Sequence, residues 1–88
     1  VKQLISTDAQ LAHALRSARK ARGLSQAEAG RNVGLLPKTI SALENHPGSA
    51  SIDSLFKLLS ALGLELEIDR KMPEGPRGEK SVIATEEW

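Results

Sequence analysis

The sequence predicts an all-α domain of four to five helices, followed by one C-terminal β-strand and a flexible tail. Three observations carry this expectation. Apolar residues recur at three- and four-residue spacing in successive blocks, Thr7-Asp8-Ala9-Gln10 and Ser25-Gln26-Ala27-Glu28 read as capping boxes, and glycines close the blocks. The only aromatic residues are Phe56 and Trp88, so the core has to be built from leucine, isoleucine, valine and alanine on helices.

The first helix is expected over about 8–22. Leu11, Leu15 and Ala18 share one face, Arg16, Arg19 and Lys20 fan around them, and Gly23 offers a left-handed stop. A second, two-turn helix opens at the Ser25 box, buries Ala29 and Val33 and ends at Gly34. Pro37 then stands where a helix tolerates proline best, at its first position, and the third helix runs to about Asn45. Ile40 and Leu43 form its inner face, leaving Lys38, Thr39, Ser41, Ala42 and Asn45 largely outward. After the turn residues His46-Pro47-Gly48-Ser49-Ala50, Ser51 caps a fourth helix carrying Ile52, Leu55, Phe56, Leu59 and Leu62 to a stop at Gly63.

Leu64-Glu65-Leu66-Glu67-Ile68-Asp69 alternates apolar with acidic, the period of a half-buried strand. A lone strand leaves its amides and carbonyls without partners. Two arrangements answer that need: an antiparallel ribbon with the same strand of a second subunit, through Leu64, Leu66 and Ile68, or an irregular extended segment packed on the fourth helix. From Met72 the chain has too little apolar surface to offset the entropy of ordering, until Ser81-Val82-Ile83-Ala84 returns to apolar residues and the sequence finishes on Glu86-Glu87-Trp88. The expected organisation is therefore a domain over 1–71 and a tail over 72–88.

At 88 residues the domain buries only a modest fraction of its surface. Without cysteines or histidines at ligand spacing, neither disulfides nor a structural metal can stabilise it, which leaves subunit association as the common remaining route. No apolar run approaches the ~18 to 20 residues of a membrane helix and no secretory pattern is visible, so the cytoplasm is the expected compartment. The net charge of +1 hides an asymmetry: residues 1–46 carry seven basic and three acidic side chains, residues 47–88 five basic and eight acidic. A basic half beside an acidic half suggests a polyanionic partner for the first.

Two short helices joined by a tight turn, with basic residues before and on the second, form a helix-turn-helix whose second helix enters the DNA major groove. The residues Leu15-Arg16, Arg22-Gly23-Leu24-Ser25-Gln26, Glu28, Val33-Gly34, Thr39-Ile40-Ser41 and Leu43-Glu44-Asn45 resemble the phage-repressor-like (xenobiotic response element type) family of DNA-binding domains over roughly 11–66. That resemblance implies base contacts from Pro37, Lys38, Thr39 and Ala42, with Lys38 able to donate to guanine O6 or N7. It implies phosphate contacts from Gln26, Arg19, Ser41 and Asn45, and an ion pair of Arg19 with Glu44 that locks the first helix to the end of the third. Three departures stand out. Leu36 occupies a position where serine or threonine commonly caps the recognition helix, Gly30 lies inside the second helix where alanine is usual, and Ala42 replaces a longer base reader. A glycine there costs ~1 kcal/mol against alanine, and close approach of the second and third helices would explain it. With so few polar groups facing the groove, DNA bending is expected to carry part of the specificity.

The strand after the fourth helix, the tail and the terminal Glu86-Glu87-Trp88 together resemble the HipB antitoxins, the DNA-binding partners of HipA serine/threonine kinases. The resemblance implies a homodimer paired through the strand, repression of its own operon on double-stranded operator DNA, nucleoid association, and docking of Trp88 into the kinase toxin. Tryptophan is favoured among interface hot spots. The 17 residues from Met72 to Trp88 span roughly 55 to 60 Å when extended, enough to reach a partner away from the DNA-reading face. A stand-alone regulator and a protein-interaction module without DNA binding are the alternatives. No catalytic residue, cofactor or metal is expected: His13 and His46 stand apart from any ligand motif, and no phosphate loop or nucleophile elbow occurs.

Overall fold

A computed structural model of the chain describes residues 3–71. The expected tail over 72–88, with Trp88, lies outside the described residues. Four α-helices follow in order: α1 (Asp8–Ala21), α2 (Gln26–Arg31), α3 (Pro37–Asn45) and α4 (Ile52–Ala61), with a 3-10 turn at Pro47–Ser49.

Both capping boxes form. The Thr7 hydroxyl accepts from the Gln10 amide at 3.1 Å while the Gln10 side-chain oxygen accepts from the Thr7 amide at 3.2 Å. At α2, Ser25 Oγ accepts from the Glu28 amide at 3.0 Å and Glu28 Oε1 accepts from the Ser25 amide at 2.8 Å. α3 begins differently: Leu36 takes the N-cap position without any side-chain hydrogen bond, and Pro37 follows it. Ser51 caps α4, its hydroxyl accepting from the Ser54 amide. α1 and α4 stop one residue earlier than the periodic pattern suggests, because Arg22 and Leu62 serve as caps.

The core sits where α1, α2 and α4 meet α3. Leu15, Ile40, Leu43 and Leu58 are the most completely buried large side chains, joined by Ala29, Leu55, Leu59 and Leu62. Leu11 and Ala18 pack on this cluster, as the first-helix stripe requires. Arg22 closes the far side, its Nη1 donating to the Leu62 carbonyl at the end of α4.

Several expectations need correction. Val33 is only half-buried, because α2 ends at Arg31 and Val33 falls in the turn that follows. α4 is rotated from the stripe read in the sequence: Leu58 is fully buried, while Ile52 and Phe56 are 65 % and 51 % exposed. Apolar residues cover so much of this helix that spacing alone does not choose the inner flank. Within a single copy of the chain, residues 64–71 lie in neither helix nor strand. Leu64, Leu66 and Ile68 remain exposed there, Ile68 by 87 %.

Gly30 is buried for a reason more local than helix-helix approach. A Cβ at this position would lie 2.2 Å from the Leu35 carbonyl oxygen, and the Leu35 amide donates back to the Gly30 carbonyl at 3.0 Å. The close neighbour is the backbone of the turn, which folds back over the end of α2 through Gly34 at φ +74°. The turn held in this way leads through Leu36 directly into α3.

Candidate nucleic-acid interface

The α2-turn-α3 unit presents one side of α3 to solvent. Pro37 and Lys38 are exposed, and Thr39, Ser41 and Ala42 are half-exposed. Ile40 and Leu43 anchor the opposite side with almost no exposure. A helix held by its apolar face displays the remaining residues at fixed angles, so Lys38, Thr39 and Ala42 form a single outward strip. The expected base-reading residues are thus brought together on one accessible face.

The end of α3 is held by a buried carboxylate. Glu44 has a side chain with 0 % exposure, a position an acidic residue occupies only when its charge is matched. Arg19 Nε donates to Glu44 Oε2 at 2.6 Å, and Arg19 Nη2 donates to Oε1 at 3.1 Å, the two-point geometry that suits guanidinium and carboxylate. Gln26 Nε2 adds a third donor at 3.3 Å, and Arg16 Nε lies at 3.9 Å. Arg19 Nη1 also donates to the Leu24 carbonyl, tying the α1–α2 connection into the same knot. The hydrogen bond to Glu44 raises the Arg19 pKa above its ordinary value.

This network joins α1, α2 and α3 through one carboxylate, as the expected Arg19–Glu44 ion pair required. It also separates the expected phosphate-contacting residues by accessibility. The Arg19 side chain is only 11 % exposed and is occupied by Glu44 and Leu24, which makes it a bolt inside the domain. Gln26 stands half-exposed at the N-terminus of α2 with one amide proton engaged by Glu44. Asn45 is exposed, its Nδ2 donating to the Ser41 carbonyl at 2.8 Å and lying 3.3 Å from Ser41 Oγ.

Arg16 was not singled out as a functional residue by sequence reasoning. Its Nη2 donates to Asn45 Oδ1 at 2.7 Å, and its side chain remains 44 % exposed. The available signal was its place three residues before Arg19, which puts both guanidinium groups on the same side of α1. Two guanidinium groups against one carboxylate leave this corner net positive at the C-terminal end of α3, the opposite end of the helix from Lys38.

Among the described residues, no group of three histidine, cysteine, aspartate or glutamate side chains gathers as a metal site, and no helix is long and apolar enough to cross a membrane. His13 is exposed on α1 with Ser17 Oγ 3.4 Å from its Nε2, and His46 is exposed after α3.

The helix-turn-helix family model matches residues 15–68. Antitoxin HipB of Escherichia coli O6:H1 (strain CFT073) is 35 % identical over 66 residues, which cover 75 % of this chain and 70 % of the relative. Antitoxin HipB of Escherichia coli K12 is 33 % identical over 66 residues, covering 75 % of each. Among solved structures, a HipA-HipB-O2-O3 complex and a HipB-O4 20mer complex each match with a TM-score of 0.75 at 34 % identity, covering 80 % of this chain and 100 % of theirs.

Proposed function

Because this chain belongs to the helix-turn-helix family of HipB antitoxins, we propose that it is the antitoxin of a toxin-antitoxin module, a dimeric repressor of its own operon. The single observation that carries this reading is the outward strip of α3, Lys38 with Thr39 and Ala42, held rigid from behind by the buried Glu44 network. A positively charged helix face braced from behind is what entry into a major groove demands, and solved structures with this fold include a HipB-O4 20mer complex and a HipA-HipB-O2-O3 complex.

In this reading Lys38 donates to base edges, Thr39 offers a hydroxyl or a methyl, and Pro37 and Ala42 make apolar contact. Gln26, Ser41 and Asn45 position the domain on phosphates, and Arg19 acts through Glu44 by holding the helices in register. In the same reading its first partner is double-stranded operator DNA, and it works in the cytoplasm in association with the nucleoid. Its second partner is a HipA-like kinase, reached by Trp88. The role is one of binding, and no catalytic residue is assigned.

Dimerisation through Leu64, Leu66 and Ile68 is supported by their exposure in the single chain, together with that of Ile52 and Phe56 on α4. Those two residues are one helical turn apart on the outer face of α4, and α4 leads through Gly63 directly into residues 64–69. Covering such surface with a second copy would supply apolar burial that so short a chain lacks.

The division of labour is testable with two variants. Lys38→Ala should weaken operator binding at least several-fold and reduce its salt dependence while leaving kinase binding intact, whereas deletion of Trp88 should do the reverse. Electrophoretic mobility shift across a salt series and pull-down of the kinase read the two activities separately. If both changes strike the same activity, the assignment fails.

A further inference from the structure

Leu36 is 64 % exposed at the tip of the recognition helix, and no packing among the described residues accounts for it. It occupies the N-cap of α3, where a hydroxyl or carboxylate would satisfy one of the helix's first amides, yet it makes no side-chain cap hydrogen bond. The residue therefore gives up a cap and exposes an isobutyl group to water. Local rules are broken in this way where a residue serves a partner.

Its surroundings identify that partner. Leu36 has extended backbone (φ −78°, ψ 155°), a conformation that the following proline enforces, so the side chain stands on a stiff step. Exposed Pro37 continues the apolar surface and exposed Lys38 borders it with a cation. In the major groove the one apolar feature of a base edge is the thymine 5-methyl group. An apolar step beside a lysine, at the leading end of the helix that enters the groove, matches a thymine next to a guanine.

We propose that Leu36 is a specificity-determining residue that reads thymine through its 5-methyl group, with Pro37 forming the second wall of the contact. The proposal rests on the DNA-binding reading above and adds a base preference to it. Direct readout is then apolar where the strip lacks polar side chains, and the missing cap is the structural counterpart of that preference.

The test uses the full chain and a duplex it selects from a random-sequence library at low salt. Each thymidine of that duplex is replaced in turn by deoxyuridine, which removes the methyl group and leaves every hydrogen-bonding group in place. At one thymine per half-site, the wild-type protein should lose about fourfold in affinity, the effect of one buried methyl-sized group. Leu36→Ser should bind the thymine and deoxyuridine duplexes equally, at about the affinity of the wild type for the deoxyuridine form. The variant should also melt no lower than the wild type, since serine restores a cap acceptor.

Insensitivity of the wild type to every deoxyuridine would overturn the proposal. So would a Leu36→Ser protein that keeps the wild-type discrimination, or one that melts markedly lower and so reveals Leu36 as a packing residue. Failure to select any duplex would strike DNA binding itself and this proposal with it, an outcome plainly different from methyl-independent binding.

Discussion

The substitution Gly30→Ala is expected to lower stability, although it replaces a glycine inside a helix by the best helix former, a change worth ~1 kcal/mol in its favour in a free helix. The opposing effect comes from one contact. An alanine Cβ would sit 2.2 Å from the Leu35 carbonyl oxygen and 3.0 Å from its carbonyl carbon, so the turn has to retreat by at least 0.8 Å to reach even a 3.0 Å contact with the oxygen. That oxygen belongs to backbone and cannot swing aside as a side-chain tip would. Overpacking of this kind costs about 1–3 kcal/mol, and the Leu35 amide to Gly30 carbonyl bond, 3.0 Å in the native turn, loses part of its ~1 kcal/mol. After the propensity gain, a net loss of about 0.5–2.5 kcal/mol remains. For a domain of this size that lowers Tm by roughly 2 to 20 °C. Thermal unfolding followed by circular dichroism, at matched protein concentration because association adds to apparent stability, reads the effect directly. The same shift displaces the entry to α3, so operator affinity should fall as well. An unchanged or raised Tm would refute the reasoning, since it would mean that the turn moves freely and that Gly30 is an ordinary helical glycine.

Two further substitutions probe the carboxylates. Glu44→Ala strips the counter-charge from Arg19, a guanidinium only 11 % exposed, and should cost about 3–5 kcal/mol in urea unfolding. Combining it with Arg19→Met should recover a large part of that loss, whereas strictly additive effects would show that the pair does not couple. Glu28 titrates below the ordinary carboxylate range because the Ser25 amide, and then the Ser25 hydroxyl, hydrogen-bond its charged form. A carboxyl whose pKa is lowered by folding adds stability above its unfolded value, and that contribution disappears as pH falls through the folded value. Glu28→Gln should therefore be less stable than wild type at pH 7 and indistinguishable from it under strongly acidic conditions. A gap that persisted unchanged into acid would remove the assigned cause.

Much of the architecture is written in short-range chemistry. Thr7 with Gln10 and Ser25 with Glu28 mark helix starts through hydrogen bonds that span three residues. Pro37 opens α3 with a φ its own ring imposes, and Gly34 turns the chain where a side chain would be strained. The outward strip of Lys38, Thr39 and Ala42 was readable for the same reason, because the spacing of Ile40 and Leu43 leaves those positions only one direction to face. The Arg19–Glu44 pair was foreseen from family resemblance, but the depth of its burial and the convergence of Gln26 and Arg16 upon it were not. Nothing in a sequence window reports that three helices meet at one carboxylate.

Sequence alone determined where the helices of this protein begin and which face of α3 is turned to solvent, since both follow from bonds and periodicities contained within a few residues. Only tertiary structure decided that Leu58 faces inward while Ile52 and Phe56 face out, that Glu44 is buried, and that Gly30 must lack a side chain. Each of these depends on what an element distant along the chain, or a turn folding back on its own helix, places within a few ångströms. An apolar helix with more than one possible inner flank settles its rotation by packing, and its own pattern contains no record of the choice.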